Sequence, residues 1–255
     1  VRTIGSSVKI SRARWLPGCR WRFGNAAEER KQRRAQFPAC PRTANLPFRI
    51  TPNEGLQNLD IPGPAGALEA RFDEASSPVR ASAVLCHPHP QYGGTMNDAV
   101  LDCLAQTLLA NGVSCLRFNV RGVGNSEGGY DDSGGEVDDL RAAVSWLQAE
   151  RAPSQLWLGG YSFGANVVWQ SLAGMPEPHR VLLIAPPVGS MAFPNRDLSC
   201  PVDVFIGDAD EFASQDALAA WRGIRGHIIA GANHFFLGQW DTLRQRIEQV
   251  ISGQP

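Results

Sequence analysis

The sequence predicts an open, mostly parallel α/β sheet with helices on both faces, and three observations predict it. From about residue 54 onward, short apolar runs of strand length alternate with amphipathic helical segments. The first two runs instead follow one another directly, across a Pro-Gly turn, as a hairpin does. Near the middle, the apolar triplet Leu156-Trp157-Leu158 reverses into a helical pattern through a run rich in glycine, Gly159 to Gly164.

Taken in order, residues 56–61 and 67–72 alternate like strands around Pro62-Gly63-Pro64-Ala65-Gly66, which places an antiparallel hairpin at a sheet edge. Residues 81–86 form a third, more apolar strand. Thr95 is expected to cap the helix that follows, with Asp98 as reciprocal partner. Its stripe is Val100, Leu104 and Leu108, and Asn111-Gly112 ends it. Residues 113–120 are the next strand, leading into a glycine-rich loop at 121–128. Ser133 with Glu136 caps a helix whose stripe is Val137, Leu140, Val144 and Leu147. After the central strand and its helix come strands at 181–184 and 202–206, a helix near 215–222, a strand at 226–229 and a helix near 240–251. The last helix presents Trp240, Leu243, Ile247 and Val250. Eight strands result. Only about 14 residues separate the strand ending at Ala185 from that starting near Cys200, so no lid domain fits there.

Composition narrows the setting. A hydrophobic fraction of 43% over 255 residues suits one globular domain, assigned to residues 54–252. The longest apolar stretch, 181–185, has strand length, and the basic N-terminal region lacks a following apolar run. Neither membrane insertion nor a secretory signal is therefore expected. Six scattered cysteines without a CxxC pair point to a reducing, cytoplasmic setting. The net charge of -1 conceals a division, because residues 1–50 carry 12 Lys+Arg against only Glu28 and Glu29. The remainder has a net charge of -11. Residues 1–50 are expected to be a disordered basic extension. Trp15, Trp21 and Phe23 interleave with its charge, so an arm for nucleic acid or an acidic membrane is the alternative, and nucleic acid is not taken as a partner.

The reversal carries the chemistry. Gly160-x-Ser162-x-Gly164 is a nucleophile elbow, in which a strained strand-to-helix turn exposes a serine oxygen at a helix N-terminus. Serine becomes a nucleophile only when a histidine takes its proton and a carboxylate orients that histidine. The acid belongs after a late strand, and Gly207-Asp208-Ala209-Asp210-Glu211 offers three carboxylates. Asp210 is preferred because it clears the strand end, with Asp208 the runner-up as a residue holding the loop. The base belongs after the final strand, where Gly231-Ala232-Asn233-His234-Phe235-Phe236 supplies His234.

A tetrahedral intermediate also needs two backbone N–H donors. The first is Phe163, directly after the serine. The second lies in the loop after the third strand, where Pro88 and Pro90 have no N–H and leave His89, Gln91 or Tyr92. His89 is taken by its distance from the strand end. Tyr92, Phe163, Phe235 and Phe236 are expected to line an apolar substrate pocket. A metal site from Cys86, His87 and His89 is set aside, since successive residues point to opposite faces. No metal or other cofactor is expected. The loop at 121–128 reads as a tight turn under the sheet edge and lacks the Lys-Ser/Thr ending of a phosphate-binding loop.

These motifs resemble those of the α/β-hydrolases. More closely, His87-Pro88-His89-Pro90-Gln91-Tyr92-Gly93-Gly94-Thr95-Met96-Asn97 is similar to the HPHPxxGGxMxN motif of compact bacterial dienelactone-hydrolase-like and prolyl-oligopeptidase-related esterases. Arg121 to Gly128 resembles their RGxGxSxG motif, Gly207 to Asp210 their GDxD loop and Gly231 to Phe236 their GAxHFF ending. The resemblance implies a lidless Ser-His-Asp esterase for short to medium acyl groups, with a small-molecule acyl ester as partner. Thioesterase, lactone hydrolase and small-peptide hydrolase use the same atoms, and a non-enzymatic binding protein on this fold is the rival class. The oligomeric state and natural substrate are not legible.

Overall fold

The computed structural model describes residues 56–76, 78–130 and 134–253, which belong to one compact unit spanning 53–255. The basic extension expected at 1–50 and the Ser133 cap lie outside the described residues.

Eight strands make one sheet: β1 (Leu56–Gly63), β2 (Gly66–Asp73), β3 (Ala81–Cys86), β4 (Val113–Phe118), β5 (Leu156–Tyr161), β6 (Arg180–Ile184), β7 (Val202–Gly207) and β8 (Arg225–Ile229). Their spatial order is β1-β2-β4-β3-β5-β6-β7-β8. β1 pairs antiparallel with β2, and β2 with β4, while every later neighbour is parallel. The helices are α1 (Ala99–Ala110), α2 (Gly135–Arg151), α3 (Phe163–Ser171), α4 (Gln215–Ala220) and α5 (Trp240–Ser252).

Alternation along the strands builds two cores. Val84, Leu158, Leu183 and Val204 face α2, α3 and α4, whereas Leu85, Trp157, Leu182 and Phe205 face α1 and α5. On α2, Leu140, Val144 and Leu147 are buried as the stripe predicts. On α5 the buried face is Leu243, Ile247 and Ile251, with Trp240 and Val250 only partly covered.

Two sequence expectations are corrected locally. Thr95 does not cap α1. Asp98 is itself the cap, its carboxylate accepting from the N–H groups of Val100 (2.9 Å) and Leu101 (3.3 Å). Thr95 Oγ1 instead accepts from Asn97 N–H, and Met96 N–H is drawn to Asn119 Oδ1 at 2.8 Å, which delays the helix. The strand expected at 113–120 ends at Phe118, because Asn119 N–H bonds the Glu69 carbonyl and its side chain bonds the Glu69 carboxylate.

The topology places the site. The chain leaves β3 outward to β4 and returns past it to β5, so β3 and β5 are neighbours whose following loops diverge. A crevice at the carboxyl ends of strands forms at such a switch point. Cys86 pairs beside Gly160, so residues 87–89 and Ser162 leave the sheet together. Between β6 and β7, residues 185–201 carry no helix and only an isolated bridge, Val188 with Met191.

The sequence did not mark Asp203, whose carboxylate is fully buried in β7. It binds Arg180 of β6 at 2.8 Å, and Arg225 and His227 of β8 at 2.8 and 3.1 Å. Three strands are thereby clamped at the end opposite the site. Replacing Asp203 by Ala leaves Arg180 largely buried without its carboxylate and is expected to cost about 3 kcal/mol, read by chemical denaturation. A loss within about 0.5 kcal/mol, the range of ordinary surface changes, would contradict this clamp.

Candidate active site

Ser162 sits between β5 and α3 with φ 53° and ψ -118°, a left-handed backbone that a side chain adopts only under strain. Its N–H still bonds the Ile184 carbonyl at 2.9 Å, and its carbonyl starts α3 by accepting from Ala165 N–H at 3.0 Å. The flanking glycines are dictated by close approach. A Cβ on Gly160 would strike the Gly164 carbonyl, and one on Gly164 would strike the carbonyls of Cys86 and His87. The elbow therefore presses directly on the end of β3.

The three polar side chains form one hydrogen-bonded row. His234 Nε2 lies 2.9 Å from Ser162 Oγ, and His234 Nδ1 lies 3.0 and 2.9 Å from the Asp210 oxygens. With Nδ1–H donating to the carboxylate, Nε2 is left as the acceptor facing the serine hydroxyl. The Asp210 side chain is fully buried, the His234 side chain is 9% exposed, and Ser162 is half-buried. Asp210 Oδ1 also accepts from the N–H groups of Phe212 (2.8 Å) and Ala213 (3.1 Å), which fixes the orientation of the carboxylate. The row can move a proton from serine to imidazole with the resulting cation held against an anion.

The loops carrying Asp210 and His234 are joined to each other. Asp208 Oδ1 accepts from Gly231 N–H at 2.7 Å, Asp208 N–H bonds the Ile229 carbonyl, and Ala209 N–H bonds the Ala232 carbonyl. Asp208 thus holds the loop while Asp210 faces His234; Glu211 is exposed. Tyr161 Oη donates to the His234 carbonyl at 3.1 Å. Asn233 Oδ1 accepts from Phe235 and Leu237 N–H, closing the turn that presents the histidine.

Phe236 is a correction. It was expected in the substrate pocket, but it is 0% exposed, inside the core with Leu243 and Ile247. Neighbouring side chains in this turn point apart, so Phe235 faces outward beside the His234 ring while Phe236 anchors the turn. Tyr92 is 69% exposed and 4.9 Å from the His89 ring. Phe163, at the start of α3, packs against His89 at 4.7 Å. Sequence reasoning missed Phe212, exposed and 4.7 Å from the His234 ring, and Tyr130, which reaches His89. The Asp210-x-Phe212 turn signal could have flagged the first; no local pattern flags the second. A cleft of about 430 Å³ beside the β1–β2 hairpin, lined by Asn58, Asp60, Glu69, Arg71 and others, contains none of the three row residues.

The phenyl of Phe163 is followed backward by its N–H, the first of α3 and outside the helix's own ladder. Of the alternatives for a second donor, Gln91 N–H bonds His89 Nδ1 and Tyr92 N–H bonds the His89 carbonyl. The glycine loop is fastened under the hairpin: Glu127 exchanges bonds with Ala67, Ser126 Oγ bonds Glu69 N–H and the Asn119 carbonyl, and Arg121 pairs with buried Asp139 at 2.7 Å.

A serine–histidine–carboxylate row at the switch point of an eight-stranded sheet is the arrangement of the α/β hydrolases. The model of the Alpha/beta hydrolase family matches residues 83–252, and the chain belongs to that family. An uncharacterized protein of Rickettsia prowazekii, RP471, is 40% identical over 207 residues, 74% of this chain and 86% of that protein. XC6422 of Xanthomonas campestris, an α/β serine hydrolase without a lid, superposes with a TM-score of 0.72 at 33% identity. The match covers 82% of this chain and 99% of that one. An α/β serine hydrolase homologue from Coxiella burnetii gives 0.70 at 31% identity, over 79% and 98% of the two chains.

His87 ties this region together and titrates. It is fully buried, its Nε2 accepting from Val120 N–H at 3.1 Å and its Nδ1 donating to the Pro88 carbonyl at 2.6 Å. Burial lowers its pKa to about 4, against the favourable bond to Pro88. The neutral ring is thus favoured in the folded protein. Its contribution is complete above the ordinary histidine pKa of about 6.5 and is lost as pH falls from there towards 4, on the order of 3 kcal/mol. Thermal melts between pH 7 and 4 should fall more steeply for the wild type than for His87→Gln. Parallel curves would contradict the assignment.

Proposed function

We propose that this protein is a serine carboxylesterase acting on small-molecule esters of short to medium acyl groups, through an acyl-enzyme. The observation that carries the reading is His234 standing 2.9 Å from Ser162 Oγ while both Asp210 oxygens engage its other nitrogen. Ser162 attacks the carbonyl as His234 takes its proton. His234 then protonates the leaving alcohol, and water repeats the sequence to release the acid. The N–H groups of Phe163 and His89 receive the oxyanion. No cofactor is required, because the chain supplies nucleophile, base and electrostatics.

The half-exposed rings of Phe212 and Phe235 beside His234, and exposed Tyr92 beside His89, favour an apolar substrate at an open surface. The HPHPQYGGTMN run at residues 87–97 supports placement among dienelactone-hydrolase-like and prolyl-oligopeptidase-related esterases. Free thiols at Cys86, Cys103, Cys115 and Cys200 support a reducing, cytoplasmic setting. We treat residues 1–50 as an extension outside the catalytic domain at 54–252, which contains every residue of the mechanism.

A fluorophosphonate probe should label Ser162, and Ser162→Ala should lose both labelling and about 10³-fold or more of ester hydrolysis. Folded protein that takes no label would overturn the reading. Rates on p-nitrophenyl esters should peak at short to medium acyl chains with no jump at the micelle threshold. A maximum at the longest chains would refute the open, lidless site. Faster turnover of thioesters, lactones or small peptides at equal Ser162 dependence would move the assignment to that substrate class.

A further inference from the structure

The loop Pro88-His89-Pro90 poses a physical problem for an oxyanion donor. Neither proline has an N–H, so the backbone lacks the ladder bonds that would fix the peptide between Pro88 and His89. Yet the His89 N–H belongs to that peptide unit and must point steadily at one place. Both ends of the unit are held by side chains instead. At its carbonyl end, His87 Nδ1–H donates to Pro88 O at 2.6 Å. The peptide is planar and trans, so fixing the carbonyl directs the N–H to the opposite side.

At the other end the His89 ring is engaged in two directions. Its Nδ1 accepts from Gln91 N–H at 3.2 Å, which caps the 3-10 turn Pro90–Tyr92. That leaves the proton on Nε2, which faces Tyr130 Oη at 3.3 Å. The ring also packs against Tyr130 at 5.2 Å and Phe163 at 4.7 Å. Phe163 is the residue whose own N–H is the first donor. The side chains of the two donor residues therefore touch, and Tyr130 braces both, its ring lying 6.2 Å from that of Phe163. Tyr130 lies two residues beyond the loop fastened by Arg121, Ser126 and Glu127, and its backbone N packs closely on Gly122 of that loop.

We infer that Tyr130 and the His89 imidazole are a positioning pair that sets the second oxyanion donor, the His89 N–H, at a fixed separation from the Phe163 N–H. An Asn or Ser at 89 could cap the turn, but neither has the second nitrogen that reaches Tyr130. The inference rests on the serine-hydrolase reading and names two side chains that do not themselves touch the reacting atoms.

The test uses the full chain with p-nitrophenyl acetate as substrate and phenylboronic acid as a tetrahedral mimic. Tyr130→Phe removes one hydrogen bond, and His89→Asn keeps the cap while losing the link to Tyr130. Each should lower kcat about 5- to 30-fold with KM within about twofold, because only the developing oxyanion feels the misplacement. Boronate affinity should fall in proportion, and the double variant should be no worse than the weaker single one. Melting curves confirm that both variants fold. Wild-type kcat in both variants would overturn the inference, as would a raised KM at unchanged kcat, which would make the pair a substrate contact. A wild type that neither turns over the ester nor binds boronate overturns the serine-hydrolase reading itself, and this inference with it.

Discussion

The backbone of Ser162 is the constraint on which the rest of the site depends. A serine at φ 53° between a strand and a helix is stable only where its neighbours leave no other path. Here the Ile184 carbonyl holds its N–H from the sheet, while α3 begins from its carbonyl. Gly160 and Gly164 permit the helix to descend onto the carbonyls of Cys86 and His87, an approach closed to any side chain. Strain of about 1–3 kcal/mol is thereby held by two cores packed on opposite faces of the sheet. The same contact brings the elbow against the loop that follows β3, so Ser162 and residues 87–89 share one origin in the fold.

Everything else that reaches Ser162 comes from loops, and each is tied to another loop as well as to the sheet. The loops that carry Asp210 and His234 are joined through Asp208 with Gly231 and Ala209 with Ala232. The loop after β3 is joined to the residues just past β4, His87 to Val120 and Met96 to Asn119. The glycine loop is joined to the hairpin and to α2. At the other end of the sheet, Asp203 clamps the strands that lead into the Asp210 and His234 loops. The arrangement around Ser162 thus follows from many short, mutually consistent bonds.

Much of this was legible before the structure. Strand and helix patterning specified the open sheet because alternation and helical stripes report burial directly. The juxtaposition of Ser162, His234 and Asp210 was legible because a serine–histidine–carboxylate row permits each residue type at few places in this chain order. The departures have local physical causes. Thr95 and Asp98 both offer caps, and the choice depended on Asn119 drawing Met96 away, a contact across 23 residues. Phe235 and Phe236 are adjacent aromatics, and only the turn made by Asn233 decides which one is buried. Asp203 and Tyr130 act through partners far away in sequence, so no window of pattern contains their role.

The account centres on Ser162 Oγ becoming covalently bound during turnover. Rapid mixing with p-nitrophenyl acetate, acid quenching and peptide mass analysis measure this directly. A burst of about one nitrophenolate per protein, with an acetyl group on the peptide containing Ser162, is the predicted result. Steady hydrolysis with no burst and no acetylated peptide, or acetyl found on another side chain, would contradict it.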